Sequence, residues 1–376
     1  MAHESEKPEI DLSHLRTPLE QWLTKQWKDV TELRVDDLGT PRASGYSNET
    51  VFFQARWRQG GEQREGRYVL RAEPKRPPVY PYQTQPPRPS VEVQYAAMRG
   101  VARAGSGPIA PLVGYEADPE LFGVPFFVMG FVEGEVPGDT PLYTQDGFFA
   151  DATAEQRRQL VESGLEALAR IHALDWRAAG LEWLADPAGG DVCPVARQLE
   201  IYRHYAESEI GEREHPVLQK AFAWTERELP APRSLGIAWG DARPGNMIFQ
   251  KFRCASITDW EAVALGPPEF DLGWWLMFDR FAHESAGLER LEGDPTRAEQ
   301  RAFYADRRGQ EIADTHWYEV FAALRFTCVM IRNSDRMTAD GRIPASMNMA
   351  IHNPASQVLA DLLSIPYSWL GEAGVG

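Results

Sequence analysis

The spacing of apolar residues changes near residue 130, and this change limits the folds open to the 376-residue chain. Before that point, segments 51–57 and 67–72 are rich in β-branched and aromatic residues and flank a polar, Gly-containing connection, as in a β-hairpin. From Thr153 onward, apolar residues recur three and four positions apart, which indicates helices. Strands followed by helices predict an α+β fold with two lobes. We place these lobes at residues 1–130 and 131–376, since the chain is longer than one core usually supports.

The N-terminal part also contains two helix patterns and one irregular segment. Residues 15–28 predict an amphipathic helix, and residues 35–50 are rich in turn formers. The prolines of residues 74–89 exclude regular helix and disfavour a central strand, so this segment is predicted to be an extended loop. A second helix is predicted to begin at Ser90. The apolar face of the first helix carries Leu19, Trp22, Leu23 and Trp27.

Two further strands and a capping signal follow along the chain. Segments 111–115 and 124–132 are strand-like, and the apolar character of the second predicts burial on both faces. Thr153 followed by Gln156 resembles a capping box, which predicts a helix from this point to His172. More helices are predicted within residues 196–229 and 297–365.

Composition excludes several classes of protein. Hydrophobic residues make up 43% and charged residues 25%, which is typical of a folded globular chain. No apolar run approaches the roughly 18 residues of a membrane span, and the polar N-terminal residues predict a cytoplasmic protein without a membrane partner. The net charge of −16 disfavours nucleic acid and favours cations such as Mg²⁺. The isolated Cys193, Cys254 and Cys328 indicate neither disulfides nor a zinc site.

Residues 239–249 (WGDARPGNMIF) and 256–266 (SITDWEAVALG) carry a pattern suited to phosphoryl transfer. That reaction requires a group that orients the attacking hydroxyl, metal ligands, and positive charge near the γ-phosphate. Asp241 can accept the hydroxyl proton, Asn246 offers a neutral oxygen, and Asp259 offers a carboxylate. Mg²⁺ favours such oxygen ligands.

This D-x4-N pattern followed by a strand-borne aspartate resembles the eukaryotic-kinase superfamily. The GD-x4-N form followed by DWE is similar to the aminoglycoside phosphotransferase and choline kinase branch, and most resembles the kinase portion fused to some acyl-CoA dehydrogenases. The likeness runs from about Gly39 to beyond Trp275 and implies a two-lobed kinase-like fold. It also includes the blocks SGYSNET, YVLR, VPFFVMGFVEG, LARIHALDW and LGPPEFDLGWW.

The resemblance implies roles for the residues of the central motif. Asp241 corresponds to the catalytic aspartate, and Asn246 and Asp259 correspond to the Mg²⁺ ligands. Arg243 lies where protein kinases carry a lysine near the γ-phosphate, so its guanidinium would stabilise charge in the transferring group. Glu261 would face the same side of a strand as Asp259. It is either a second metal or substrate ligand, or a surface residue.

The resemblance also implies an ATP site in the N-terminal lobe. The loop containing Ser44, Gly45, Ser47 and Asn48 would cover the phosphates with backbone N–H groups. Gly130 to Val132 would form the hinge that binds adenine, with Met129 lining the pocket. Arg71 replaces the usual strand lysine, and Gln94 stands where its glutamate partner is expected. A hydrogen bond between these two residues would then replace the family's salt bridge.

Several conspicuous residues have a structural explanation that we prefer. His172 is predicted to be a buried, hydrogen-bonded histidine. Asp271 resembles the family residue that braces the catalytic loop from a neighbouring helix, which implies a structural role. We assign core packing rather than substrate stacking to Trp274, Trp275 and Phe278. Solvated surface positions are predicted for the acidic residues Asp279, Glu284 and Asp314 and for the basic cluster Lys75, Arg76 and Arg88.

The leading hypothesis is an Mg·ATP-dependent phosphotransferase, a kinase that acts on a hydroxyl group of a small molecule. Aminoglycosides fit the family and the acidic charge, whereas a hydroxyacyl-CoA or hydroxy acid fits the likeness to the acyl-CoA dehydrogenase-fused kinases. The alternative is a nucleotide-binding pseudokinase with a regulatory role, which Arg71 and Gln94 favour. Retention of Asp241, Asn246 and Asp259 argues against that alternative. The sequence leaves the acceptor and the oligomeric state open.

Overall fold

The computed structural model describes residues 12–40, 49–185, 194–231, 235–312 and 314–368. Its N-terminal part is built on a five-stranded antiparallel sheet with strand order β1-β2-β3-β5-β4. The long hairpin predicted for the early strands is present as β2 and β3. The strands are β1 (Val30–Gly39), β2 (Glu49–Gln59), β3 (Glu62–Ala72), β4 (Leu112–Glu116) and β5 (Phe126–Gly130).

Two helices cover opposite faces of this sheet. Helix α1 (Arg16–Gln26) buries Leu19, Trp22 and Leu23, as the sequence pattern predicts. Helix α2 (Ser90–Ala104) begins at the predicted residue and contacts β4 and β5. Because side chains alternate along β5, Phe126 and Val128 pack with α1 while Phe127 and Met129 join the larger core. The predicted burial of this strand on both faces is therefore confirmed.

One sequence prediction in this part is wrong. Residues 35–39 were expected in a turn-rich stretch, but they complete strand β1 and pair with β2. Val35 is fully buried there, so tertiary packing outweighs the turn preference of the neighbouring Asp and Gly residues. Asp37 adopts φ of 51°, a left-handed conformation that aspartate tolerates at an irregularity of the strand.

After β5, the described residues are mainly helical, with four short strands that shape the loops between helices. Strands β6 and β9 pair with each other, and β7 and β8 form a hairpin. The helices are α3 (Ala154–His172), α4 (Pro194–Ile210), α5 (Pro216–Arg227), α6 (Glu269–Ala282), α7 (Arg297–Arg308), α8 (His316–Ala339) and α9 (Pro354–Leu362). The strands are β6 (Gly236–Ala238), β7 (Met247–Gln250), β8 (Arg253–Ile257) and β9 (Ala264–Gly266).

Helix α3 starts with the predicted capping box. The Thr153 side chain accepts a hydrogen bond from the Gln156 backbone N–H at 3.3 Å, and the Gln156 side chain accepts one from the Thr153 N–H at 2.9 Å. Helices α6 and α8 pack closely because Gly273 has no side chain. A Cβ at that position would lie 2.6 Å from the backbone of Tyr318. Among the described helices, none is both long and apolar enough to cross a membrane.

Residues 74–89, called the proline-rich strap below, connect β3 to α2 and lie against helices of the C-terminal part. The segment is extended as predicted, but its centre is buried rather than solvent-facing. The Tyr205 hydroxyl of α4 donates to the Val79 carbonyl, and Arg332 of α8 donates to the Pro78 carbonyl. Lys75 and Arg76 stay exposed, with Arg76 paired to Asp340 at 2.9 Å, whereas Arg88 at the other end is half-buried. The strap thus links the sheet to the helical part.

Candidate active site

Gly240 shapes the loop between β6 and the short 3₁₀ helix Pro244–Asn246. This residue has φ of 98°, and a Cβ there would lie 2.1 Å from the Ala262 carbonyl oxygen. Only glycine allows the loop to pass so close to that backbone. The Gly240 carbonyl also accepts a hydrogen bond from the buried Arg325 at 2.8 Å. These contacts fix the backbone immediately before Asp241.

Asp271 holds the same loop from helix α6. One carboxylate oxygen accepts from the Trp239 N–H at 2.6 Å, and the other accepts from the Gly240 N–H at 2.8 Å. His172 Nε2 lies 2.9 Å from Asp271, and its Nδ1 contacts the Tyr304 hydroxyl. All of these groups are buried. Asp271 and His172 therefore have the geometry of structural residues that orient the loop through its backbone.

Asp241 is 7% exposed and is held by three donors. Its Oδ1 accepts from the Trp274 indole N–H at 2.8 Å and from Arg243 Nε at 3.2 Å. Its Oδ2 accepts from the Tyr80 hydroxyl at 2.9 Å. Trp274 is buried as predicted, but its N–H makes a polar contact that the packing pattern does not indicate. Tyr80 comes from the strap and was not among the predicted site residues.

Arg243 joins two carboxylates of different exposure. Its Nη1 lies 2.6 and 2.7 Å from the two carboxylate oxygens of Asp139, while its Nε contacts Asp241. Burial acts to lower the pKa of Arg243, but the Asp241 and Asp139 carboxylates outweigh it and raise the pKa above its ordinary value. The guanidinium therefore stays charged beside Asp241. The sequence contains no local signal for Asp139, because it lies 104 positions away.

Asn246 and Asp259 are brought together by the backbone. The Asn246 carbonyl accepts from the N–H and the hydroxyl of Thr258, both at 3.0 Å, which ties this loop to the residue preceding Asp259. The Asn246 Nδ2 donates to the Asp241 carbonyl at 3.1 Å. Its amide oxygen is the remaining ligand atom. Asp259 has φ of 58° and a side chain that is 26% exposed. An amide oxygen and a partly open carboxylate suit Mg²⁺.

Arg71 reaches across from β3 toward this pair. Its Nη2 lies 3.4 Å from Asp259 Oδ1, and its Nε is buried with no hydrogen-bond partner among the described residues. Gln94 is buried, but its amide donates to Ser90 Oγ at 3.1 Å rather than to Arg71. The hydrogen bond that the sequence suggested between Arg71 and Gln94 is thus replaced by contacts to other residues.

Of the other residues predicted to bind the nucleotide, some lie within the described part of the chain and others do not. Met129 is buried and Gly130 ends β5, where its N–H donates to the Pro111 carbonyl at 2.7 Å. Val132 is half-buried just beyond that strand. Glu261 is buried and lines a narrow cavity together with Tyr80 and other strap residues. The loop predicted to cover the phosphates lies outside the described residues; it contains Ser44, Gly45, Ser47 and Asn48.

Of the two acidic residues near the end of helix α6, Asp279 differs from the prediction, whereas Glu284 lies at the surface as predicted. Asp279 was expected at the surface, but it is buried and contacts Arg290 at 2.6 Å and Arg297 at 3.3 Å. Glu284 is exposed and paired with Arg297 at 2.7 Å. Burial disfavours the ionised form of Glu284, whereas the hydrogen bond from Arg297 favours it. The net effect lowers the pKa of Glu284 to about 2. These carboxylates are already neutralised by arginine.

The antiparallel sheet, the helical part and the loop carrying Asp241 and Asn246 form the two-lobed fold of a kinase-like phosphotransferase. The model of the phosphotransferase enzyme family matches residues 39–308. The chain therefore belongs to this family, and the resemblance based on sequence motifs is confirmed.

The chain is also similar to a longer curated protein. Acyl-CoA dehydrogenase family member 11 of Mus musculus is 25% identical over 296 residues, which cover 76% of this chain and 34% of that protein. The chain thus spans about a third of the length of this curated relative.

Solved structures share the fold. A candidate aminoglycoside phosphotransferase from Ralstonia eutropha JMP134 has a TM-score of 0.69 at 22% identity, covering 94% of this chain and 98% of that one. A thermostable mutant of an aminoglycoside phosphotransferase, in a ternary complex with AMP-PNP and hygromycin B, has a TM-score of 0.53 at 13% identity. The match covers 93% of this chain and 99% of that one. At these identities the likeness establishes the fold alone.

Proposed function

We propose that the protein transfers the γ-phosphoryl group of ATP to a hydroxyl group of a small molecule in an Mg²⁺-dependent reaction. The observation that supports the proposal is the backbone link between Asn246, which contacts the Asp241 carbonyl, and Thr258, the residue before Asp259. Nucleotide would lie between residues 1–130 and 131–376. Mg²⁺ held by Asn246 and Asp259 would neutralise phosphate charge in that cleft.

A buried donor supports a phosphate ligand. Arg71 Nε has no hydrogen-bond partner among the described residues, and leaving a buried charged donor unmet costs about 1–3 kcal/mol or more. Phosphate oxygens would satisfy it, because a guanidinium donates to such oxygens through its fork. Asp259 lies 3.4 Å from the same group, so the metal and phosphate sites would be adjacent.

Each residue of the site has a role in the transfer. Asp241 would accept the proton of the acceptor hydroxyl as the new O–P bond forms and the bond between the γ-phosphorus and the β-phosphate oxygen breaks. Arg243, held by Asp139, would stabilise the charge on the transferring group. Asp271 would act on the reaction only through the backbone of the loop.

The surroundings of Arg243 favour an acceptor with an apolar part. The Arg243 guanidinium lies 5.2 Å from the Phe278 ring centre, and Phe278 packs with Phe281 and Phe326 at 5.9 and 4.8 Å. All three phenylalanines are half-buried. The nearby Asp279 is paired with arginine, as described above. A hydroxy acid or hydroxyacyl-CoA therefore fits this surface better than a polycationic aminoglycoside.

The experiment is a screen for ADP release from Mg·ATP with hydroxy acids, hydroxyacyl-CoAs and aminoglycosides as acceptors. We expect turnover with an alcohol of the first two groups and no aminoglycoside resistance when the gene is expressed in a sensitive host. Nucleotide binding without transfer to any acceptor would instead support the pseudokinase alternative, which the Gln94–Ser90 contact favours because the usual salt bridge is missing.

A further inference from the structure

The strap places a hydroxyl group on the residue proposed as the base. Tyr80 Oη lies 2.9 Å from Asp241 Oδ2, and the Tyr80 side chain is buried. Burial, followed by the nearby Asp241 and Glu261 carboxylates, raises the pKa of Tyr80 well above its usual range, so the phenol keeps its proton and donates. An acceptor alcohol would make the same O–H···O contact before transfer.

The geometry leaves one carboxylate oxygen for that contact. Asp241 Oδ1 already accepts from Trp274 and Arg243, which occupy its two lone pairs. Oδ2 is therefore the atom that an acceptor hydroxyl would approach, and it already accepts a hydrogen bond from the Tyr80 hydroxyl. Oδ2 keeps a second lone pair, but Asp241 is only 7% exposed, so a second hydroxyl would gain ready access to Oδ2 if the Tyr80 side chain moved.

The backbone around Tyr80 is anchored, so a side-chain rotation is the smaller movement. The Val79 and Pro78 carbonyls accept from Tyr205 and Arg332, as described above. On the other side of Tyr80, Gln83 Oε1 accepts from Gln198 Nε2 at 2.7 Å. The Tyr80 ring lies 6.5 Å from the Trp274 ring, which forms the wall beside it.

We propose that Tyr80 covers Asp241 and holds the place of the acceptor hydroxyl until the acceptor displaces it. The cover keeps water from the carboxylate and so limits the hydrolysis of ATP when no acceptor is bound. The acceptor site is then the space that the Tyr80 side chain vacates, between the strap and Trp274. This inference rests on the proposed function of Asp241 as the base.

The first test does not depend on activity. Carboxylates are labelled with a carbodiimide and an amine in the apo protein, and labelling of Asp241 is followed by peptide mass spectrometry in Tyr80→Ala, Tyr80→Leu and the parent chain. We expect labelling to be faster by about tenfold in both variants, since a contact worth roughly one hydrogen bond is removed along with the cover. Tyr82→Ala is the matched control, because Tyr82 is on the same strap and 45% exposed.

Asp271 serves as an internal reference for folding, because it is fully buried. Tyr80→Leu keeps an apolar side chain in the site if Tyr80→Ala fails to fold. Unchanged labelling of Asp241 in a variant whose Asp271 stays protected would overturn the proposal.

The second test measures hydrolysis of Mg·ATP without acceptor. Tyr80→Leu should raise the rate of ATP hydrolysis about tenfold, because the hydrogen bond to Asp241 and the cover are both removed. Adding Asp241→Asn to this variant should abolish the increase. A rate equal to that of the parent chain, in a protein that transfers phosphate to an acceptor, would contradict the cover. Faster labelling of Asp241 in a protein that turns over no ATP, either alone or with any acceptor of the screen, would retain the cover but refute the kinase function, so the two failures are distinguishable.

Discussion

The carboxylate of Asp271 accepts hydrogen bonds from the backbone N–H groups of Trp239 and Gly240, at 2.6 and 2.8 Å. The acidic side chain thus positions Asp241 without touching it. In Asp271→Asn, one acceptor oxygen becomes an NH₂ group that faces other donors. We expect a loss of about 2–4 kcal/mol in the free energy of unfolding, measured by urea denaturation, together with reduced turnover.

The control for this variant is Asp314→Asn. The Asp314 carboxylate is exposed and accepts from the His316 N–H at 3.0 Å, a contact that asparagine can also make. Its stability should change by less than about 0.5 kcal/mol. Equal effects at the two positions would contradict the bracing role of Asp271.

Asp241→Asn should lower kcat by roughly 10²–10⁴ because the amide cannot accept the proton of the acceptor hydroxyl. The dissociation constant for ATP should stay within about threefold, since the nucleotide would be held by Arg71, Asn246 and Asp259. Steady-state ADP release and titration calorimetry measure the two quantities. Turnover at the parent rate would rule out the assigned role.

Arg243→Lys should lower kcat by about 10- to 100-fold, because an ammonium group cannot reach Asp241 and Asp139 together as the guanidinium fork does. Asp139→Asn weakens the contact that positions Arg243 but keeps the charge of the Arg243 guanidinium. The Asp139 side chain is 58% exposed, so its loss should cost less than about 1 kcal/mol of stability. A larger kinetic effect of Asp139→Asn than of Arg243→Lys would contradict the proposal that Asp139 acts only by holding Arg243.

Arg71→Ala should raise the KM for ATP about tenfold or more, because the buried guanidinium would lose its contacts with phosphate. Arg64→Ala is the matched control on the same strand, since Arg64 is exposed and paired with Glu62. Initial rates over a range of ATP concentrations measure the effect. If both variants showed the parent KM, Arg71 would not contact the nucleotide.

Stability should depend on pH through His215, whose Nδ1 accepts from the Leu218 N–H at the start of α5. Burial lowers the pKa of His215 to about 4 from 6.5. As the pH falls, the unfolded chain therefore binds the proton at a higher pH than the folded protein does. The neutral histidine contributes fully to the free energy of unfolding above pH 6.5, and this contribution falls as the pH drops toward 4. The loss should reach about 3 kcal/mol near pH 4.

His215→Asn tests this linkage, because asparagine is a favoured helix cap but does not titrate in this range. Urea denaturation at pH 7.5 and at pH 4.5 should show a smaller difference for the variant than for the parent chain. An identical difference would assign the pH dependence to other groups.

Local patterns predicted much of the fold. The capping box at Thr153, the start of α2 at Ser90 and the buried face of α1 depend on residues within a few positions of each other, so they could be predicted before any tertiary contact was known. The prediction for residues 35–39 failed because pairing with β2 and burial of Val35 act over longer range. Asp279 was misplaced for the same reason, since Arg290 and Arg297 come from a later segment.

The sequence by itself determined the family, because Asp241, Asn246 and Asp259 lie within one loop and the hairpin that follows, in a pattern that resembles the motif of this phosphotransferase family. Only the tertiary structure decided what surrounds them. Tyr80, Asp139 and Trp274 reach Asp241 or Arg243 from separate elements, and nothing in their local sequence marks them. The physical reason is that a hydrogen bond depends on distance in space, and chain folding alone brings residues 33 to 161 positions apart into contact.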